Sequence, residues 1–452
     1  MEYHVTLAEM LDARERRVFR QQELLTRYRL PMICFTMNIA GPVKNDPLIR
    51  KGFELGNRFL KEQLDSLKIT PVYFTEFNEP SGNEAYYVID ADVLFIKEIT
   101  CSIEDDSELG RLFDMDVLKP DGKKAERSDL DLPPRPCLIC GGSGKDCARS
   151  RAHTVEQLRT KTAKILTRAV EDEDARLAAG LACRALLYEV CTTPKPGLVD
   201  REGNGSHKDM DIFTFMDSAS ALWPYFETCT RIGRQTADRP GLRTFDRIRF
   251  AGRKAETAMF SATGGVNTHK GAVFSMGILC GALGRLSREQ WKDPDVILDT
   301  CAAMTKGLTD ADFAGLTEEN AVTTGQKLYL RYHITGVRGQ MEKGLPAVRD
   351  AGLPVLKEGI ARGLSVNDAG CGALLALMTA AVDTNLIARS SLKTQQETAA
   401  EIRQLLDREP YPDRENLRRL DREFVEKNLS PGGSADLLAV CYLLYFLETV
   451  HY

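Results

Sequence analysis

The pattern of apolar residues changes character near the acidic run Glu171-Asp-Glu-Asp174, and that change restricts the chain to two halves built differently. Upstream, Pro31-Met-Ile-Cys-Phe-Thr-Met-Asn-Ile39, Val72-Tyr-Phe-Thr-Glu-Phe77, Tyr86-Tyr-Val-Ile89 and Leu94-Phe-Ile-Lys-Glu-Ile99 read as strands. The turn-like Asn78-Glu-Pro-Ser-Gly-Asn83 separates two of them. Between the first two strands, Leu48, Ile49, Phe53, Leu60, Leu64 and Leu67 recur at near-helical spacing. From about Thr154 onward, Ala- and Leu-rich helical patterns run almost to the end, broken by short Gly-rich segments. The chain of 452 residues is long enough for two domains. The expectation is an α/β domain over residues 1–170 and an all-α domain over residues 171–452.

Charge narrows the choice of partners. The net charge is -5, and neither a basic arm nor an acidic tail stands out, which argues against a nucleic-acid or membrane surface. Residues Met1 through Arg17 are charged from the start and lack the apolar centre of a signal peptide. The longest apolar run, Leu437 to Leu447, falls short of the ~20 residues needed to span a bilayer and reads as a buried helix. Twelve cysteines without a dense framework are expected to be reduced thiols, in the cytoplasm.

Four segments of the second half place small residues ahead of an apolar helix. They are Lys195-Pro-Gly-Leu-Val-Asp200 with Gly203-Asn-Gly-Ser-His-Lys-Asp-Met-Asp211, Thr263-Gly-Gly-Val-Asn-Thr-His-Lys-Gly271, Ser365-Val-Asn-Asp-Ala-Gly-Cys-Gly372 and Ser430-Pro-Gly-Gly-Ser-Ala-Asp436. Free N–H groups at a helix N-terminus, with the helix dipole, suit a phosphate, and glycine admits it close to the backbone. Lys208 and Lys270, each just after a histidine, add positive charge. The local alternative is that these are helix caps, with Ser206 opening a capping box toward Asp209 and Ser434 capping the last helix. Capping alone does not call for His207 and His269 beside lysine, nor for Asp200, Asp209 and Asp211 crowded into one segment.

These motifs resemble triphosphoribosyl-dephospho-CoA synthase of the citrate lyase system, from about Ala178 to the C-terminus. The resemblance takes in Gly336-Val-Arg-Gly-Gln340, where the family tends to carry glutamate in place of Gln340. It implies that ATP and 3′-dephospho-CoA are substrates: the dephospho-CoA 2′-hydroxyl attacks C1′ of the ATP ribose, adenine leaves and the triphosphate is retained. Such a reaction needs a base, negative charge near a developing oxocarbenium ion and a cationic clamp. His207 or His269 is the candidate base, and Asp209 and Asp211 are candidates to stabilise the oxocarbenium ion or hold Mg²⁺. Lys195, Gly197, Ser206, Lys208, Gly264, Gly265, Asn267, Lys270, Gly432, Gly433 and Asp436 are the candidate ligand-binding residues.

In the first half, strand alternation within Gly110-Arg-Leu-Phe-Asp-Met-Asp-Val117 sets Asp114 and Asp116 on one face, where a cation such as nucleotide-bound Mg²⁺ would relieve their repulsion. Arg111 stands ready for a phosphate, and Asp90 and Asp92 form a second such pair. The alternative for either pair is a solvated strand face. Cys137, Cys140, Cys147 and His153 are ligand types suited to zinc, but their spacing matches no standard finger, and zinc is not expected.

Together with Arg14 to Gln22 and the segment from Arg135 to Glu156, these residues resemble apo-citrate lyase phosphoribosyl-dephospho-CoA transferase over about residues 7–165. The implied reaction is nucleotidyl transfer on a nucleotidyltransferase-like domain. A serine of the citrate lyase acyl carrier protein attacks the α-phosphate of triphosphoribosyl-dephospho-CoA, and pyrophosphate departs. Asp114 and Asp116 would hold Mg²⁺, and Arg149 and Arg151 would grip phosphates or dock the carrier. One half would thus make what the other consumes. The alternatives are the malonate decarboxylase counterpart, or an N-terminal half that binds the carrier without catalysis.

Overall fold

The alternating runs form strands β1 (Met32–Met37), β2 (Tyr73–Glu79), β3 (Gly82–Val88), β4 (Phe113–Leu118) and the two-residue β5 (Lys124–Ala125). Every pairing is antiparallel, in the spatial order β2-β3-β1-β4-β5. The computed structural model describes residues 3–449 and divides after Asp172 into two units, the sheet lying in the first.

Period two sorts the strand side chains between two cores. Ile33, Phe35, Tyr87, Phe113, Met115 and Val117 are buried with residues of α2 (Pro47–Ser66) and α3 (Val93–Asp105). Met32, Cys34, Tyr86, Val88 and Leu118 pack instead with Leu24 and Leu25 of α1 (Leu7–Tyr28). Arg17 and Arg20 of that helix bind the buried Glu84 at 2.8 and 3.1 Å.

One expected strand is a helix. Leu94–Ile99 lies within α3, and Asp92 caps it by accepting the N–H groups of Leu94 and Phe95 at 2.9 and 3.1 Å. The buried residues Ile96, Ile99, Thr100 and Ile103 follow spacings of three and four, not two. Asp92 therefore serves as a cap and forms no strand-face pair with Asp90.

After β5 the chain passes through the short helix α4 (Gly144–Ser150) into the 37-residue α5 (Val155–Cys191). Ile165 and Leu166 of α5 belong to the sheet core, whereas Ala178, Ala182 and Leu186 belong to the core of the second unit. That unit is mostly helical. Helices α6 (Ile212–Gln235), α7 (Gly241–Ala262) and α8 (Lys270–Arg285) open it. Helix α8 and the helices Val366–Ala380 and Gly432–Thr449 are apolar nearly all round and form its interior. Amphipathic helices such as Arg414–Glu426 bury only a stripe. Among the described residues, no helix is long and apolar enough to cross a membrane.

Candidate active sites

In the helical unit, three of the four glycine-rich segments meet around a cavity of about 430 Å³. Its lining includes Lys195, His207, Asp209, Asn267, Lys270, Gly432, Gly433 and Asp436, joined by Gly336 and Gln340. The fourth segment is a cap: the Ser365 hydroxyl accepts the Asp368 N–H at 3.1 Å, at the start of Val366–Ala380 and away from the cavity.

The base of this cavity is a set of buried charges. Lys195 is 1% exposed; its ammonium donates to the Glu189 carbonyl at 2.8 Å and forms an ion pair with the Glu189 carboxylate. Its charge is thus already matched, which sets it apart from a free phosphate clamp. Asp383 accepts the Asn385 and Leu386 N–H groups at 2.9 and 3.2 Å and the Ser434 N–H and hydroxyl at 2.7 and 3.0 Å. Ser434 therefore donates to Asp383 and does not cap the last helix. Burial raises the Asp436 carboxyl well above the usual range, and repulsion from Glu189 and Asp383 adds to it. A Cβ at position 271 would overlap the Asp436 carboxylate and force that buried side chain to shift.

His207 is the histidine at the cavity wall. Its Nε2 lies 2.9 Å from Ser430 Oγ, and its Nδ1 lies 3.2 Å from an Arg389 guanidinium nitrogen. Guanidinium has only donors, so Nδ1 accepts and Nε2–H donates to Ser430. Burial lowers the imidazole below the usual histidine range, and Arg389 lowers it further. Asp209 is exposed at the same wall, and Lys270 pairs with Glu256 at 3.1 Å.

Other expected residues lie outside this lining. His269 is buried, with Nδ1 2.7 Å from Ser218 Oγ and its ring edge-on to Phe215. Burial, then Lys195, lower it to about 3, so it is a neutral interior residue and not a base at the wall. Asp211 caps α6 by accepting the Thr214 N–H and hydroxyl at 2.9 and 2.8 Å, which holds its carboxyl below the usual range. Ser206 donates to the Leu429 carbonyl at 2.7 Å, so the expected capping box is absent at that position. The Gly197 N–H is taken by Asp421 at 2.8 Å. Gly264 and Gly265 form the turn after α7, and Lys208 is exposed. Sequence reasoning missed Glu189, Asp383 and Arg389, since no local spacing connects them to the glycine-rich segments.

The sheet unit has a larger cavity, about 1110 Å³, lined by Asp114, Asp116, Lys97, Arg111, Arg127, Arg135 and Arg151 among others. Antiparallel register sets Asp114 opposite Thr36 and Asp116 opposite Cys34, which confirms that both carboxylates share one face. Lys124 forms an ion pair with Asp116. Burial, then repulsion from Asp116, raise the Asp114 carboxyl. Arg135 donates to the Phe113 and Gly110 carbonyls at 2.6 and 2.8 Å, and Arg111 donates to the Pro136 carbonyl. Arg149 is exposed and outside this lining. Cys137, Cys147 and His153 form part of the same wall.

Residues 175–451 match the family model of ATP:dephospho-CoA triphosphoribosyl transferase, and residues 5–169 match that of apo-citrate lyase phosphoribosyl-dephospho-CoA transferase. Protein CitXG of Haemophilus influenzae is 36% identical to the chain, over 98% of the chain and 96% of the relative. Protein CitXG of Leuconostoc mesenteroides subsp. cremoris is 33% identical, over 97% of each. A 2-(5''-triphosphoribosyl)-3'-dephosphocoenzyme-A synthase of Haemophilus ducreyi is 38% identical, over 69% of the chain and all of the relative. The chain belongs to the CitXG family, bifunctional transferases that join the two citrate lyase activities in one polypeptide.

Proposed function

We propose that residues 171–452 build triphosphoribosyl-dephospho-CoA in the glycine-lined cavity and that residues 1–170 attach it to the citrate lyase acyl carrier protein at the Asp114–Asp116 face. The observation that carries this reading is the convergence of His207, Asp209, Lys270 and the Gly432–Gly433 helix start on one cavity. The compartment we propose is the cytoplasm, which supplies ATP and dephospho-CoA.

In the first step the 2′-hydroxyl oxygen of dephospho-CoA bonds to C1′ of the ATP ribose. The bond from C1′ to adenine breaks, adenine keeps the electron pair and takes up a proton, and the triphosphate stays on the sugar. Arg389, Lys270 and the N–H groups opening Gly432–Thr449 hold the phosphates. When Arg389 turns from His207 to a phosphate oxygen, Nδ1 is freed to accept the 2′-hydroxyl proton. The depressed imidazole is neutral near pH 7, as a base must be. Asp209 offsets positive charge building at C1′. Lys195, Glu189 and Asp383 keep the cavity in shape.

The second step is nucleotidyl transfer, and we propose that the sheet unit works as a nucleotidyltransferase. The carrier serine oxygen bonds to the α-phosphorus, and the α–β bridging bond breaks to release pyrophosphate. Asp114 and Asp116 fit a hard divalent cation: two carboxylates on one face, with Asp114 raised by burial and then by repulsion from Asp116. Mg²⁺ held there would supply charge neutralisation for the phosphates. Lys97, Arg111, Arg127 and Arg151 add cationic contacts around the leaving pyrophosphate.

The test is mass spectrometry of apo carrier protein incubated with the chain, ATP, dephospho-CoA and Mg²⁺, with free adenine measured in parallel. A mass gain of phosphoribosyl-dephospho-CoA with equimolar adenine is expected. Adenine without carrier modification would leave the sheet unit a binding module. Faster modification of the malonate decarboxylase carrier would reassign the substrate.

A further inference from the structure

No residue from 126 to 161 is buried, although this stretch forms a wall of the sheet-unit cavity. A segment without a core of its own needs another source of order, and small folds commonly find it in a metal or a disulfide. Within this stretch, ligand atoms of Cys137, Cys140, Cys147 and His153 all lie within 4.8 Å of one another. The Cys140 and Cys147 sulfurs are 3.5 Å apart.

The backbone is arranged around that cluster. The Cys137 N–H donates to the Gly142 carbonyl at 2.6 Å, and the Gly141 N–H donates to the Cys137 carbonyl at 3.0 Å. This tight turn needs the positive φ of 74° at Gly141, where a side chain would be strained. Ser143 caps α4 and sets Cys147 on its first turns. Arg151 then closes α4 at φ 51° and brings His153 back to the sulfurs. The Nε2 of His153 is buried without a hydrogen-bond partner.

We propose that Cys137, Cys140, Cys147 and His153 bind one Zn²⁺ as a closed, four-coordinate structural site. Three thiolates and an imidazole are a soft donor set that selects zinc over magnesium or calcium, and four protein ligands leave no open position for catalysis. Its work is positional. Arg135, two residues before the first ligand, is fastened to Gly110 and Phe113 at the start of β4, and Arg151 lines the cavity two residues before the last. The ion staples this cationic wall beside Asp114 and Asp116 without touching substrate.

The test is elemental analysis of the full-length chain purified under reducing conditions without added metal. About one zinc per chain is expected, released when a mercurial blocks the thiols. Cys140→Ser and Cys147→Ser should hold at least tenfold less, His153→Cys should retain the ion, and the control Cys191→Ser should be unchanged. If the serine variants misfold, Co²⁺ loading of the wild-type chain gives an independent reading, with thiolate-to-cobalt charge-transfer absorption expected. A folded chain with under a tenth of a zinc per molecule after growth in zinc-supplemented medium, and no such absorption, would overturn the proposal. An intact mass showing a Cys140–Cys147 disulfide in place of bound metal would do the same.

Discussion

The two cavities are held in opposite ways. Around the helical-unit cavity, Lys195 and Asp383 are buried and already partnered: Lys195 with Glu189, and Asp383 with Ser434 and the start of its own helix. That site is shaped before any ligand arrives, because moving one buried charge strands its partner. Around the sheet-unit cavity, the carboxylates stand on a strand face, and one wall is the coreless stretch 126–161. The difference separates a site whose shape is a property of the core from one whose shape depends on tethers, through Arg135 to β4 and through the cysteine cluster.

The sharpest break in that comparison is functional separation. His207→Ala should slow adenine release by about 10²–10⁴-fold, the usual reach of general-base catalysis. The same variant should still attach triphosphoribosyl-dephospho-CoA supplied ready-made. Asp114→Asn should show the reverse, normal adenine release with no carrier modification. Loss of both activities in either variant, measured by adenine release and carrier mass, would mean the cavities do not work independently.

Lys195→Met tests the buried base of the first cavity. It strands Glu189 without its cation and should lower unfolding stability by about 3–5 kcal/mol at pH 8. Denaturant titration of the full chain measures it; a loss below about 1 kcal/mol would make the pair no more than a surface-type bridge.

The interior histidine gives a smaller, pH-dependent effect. The folded state holds His269 at about 3, far below its unfolded value near 6.5. The unfolded chain therefore takes up a proton first as pH falls, and this residue removes stability below pH ~6.5. At about 1.4 kcal/mol per pH unit, wild type should lose about 2 kcal/mol more than His269→Gln between pH 7 and pH 5. Parallel denaturation curves of the two proteins would show that His269 is accessible to protons in the fold. Burial raises Glu189, Asp383 and Asp436, and as pH falls they act in the opposite sense, so only the difference between variants isolates the histidine.

Ser365→Ala should have the smallest consequence. It removes a helix cap worth about 1 kcal/mol and should leave adenine release intact, since Ser365 lies away from the cavity. Loss of turnover at unchanged stability would return that segment to the site.

Much of both units is legible in local spacing. Alternation marks the strands, apolar runs mark the interior helices, and the shared face of Asp114 and Asp116 follows from period two alone. Leu94–Ile99 misled because a short apolar run fits strand and helix alike, and the deciding signal, the cap at Asp92, lies just before it. The glycine-rich segments look alike in sequence, yet three line a cavity and one caps a helix. Their destinations depend on how helices hundreds of residues apart pack.

By itself, then, the sequence determined the two kinds of architecture, the family and the chemical vocabulary of each half, because these rest on periodicity, composition and contiguous motifs. Only the tertiary structure decided that His269 turns inward while His207 faces the cavity, and that Glu189, Asp383 and Arg389 join the site. It alone brought Cys137, Cys140, Cys147 and His153 to one point despite their irregular spacing. The physical reason is common to all three: burial and convergence are set by packing between distant segments, which no local pattern encodes.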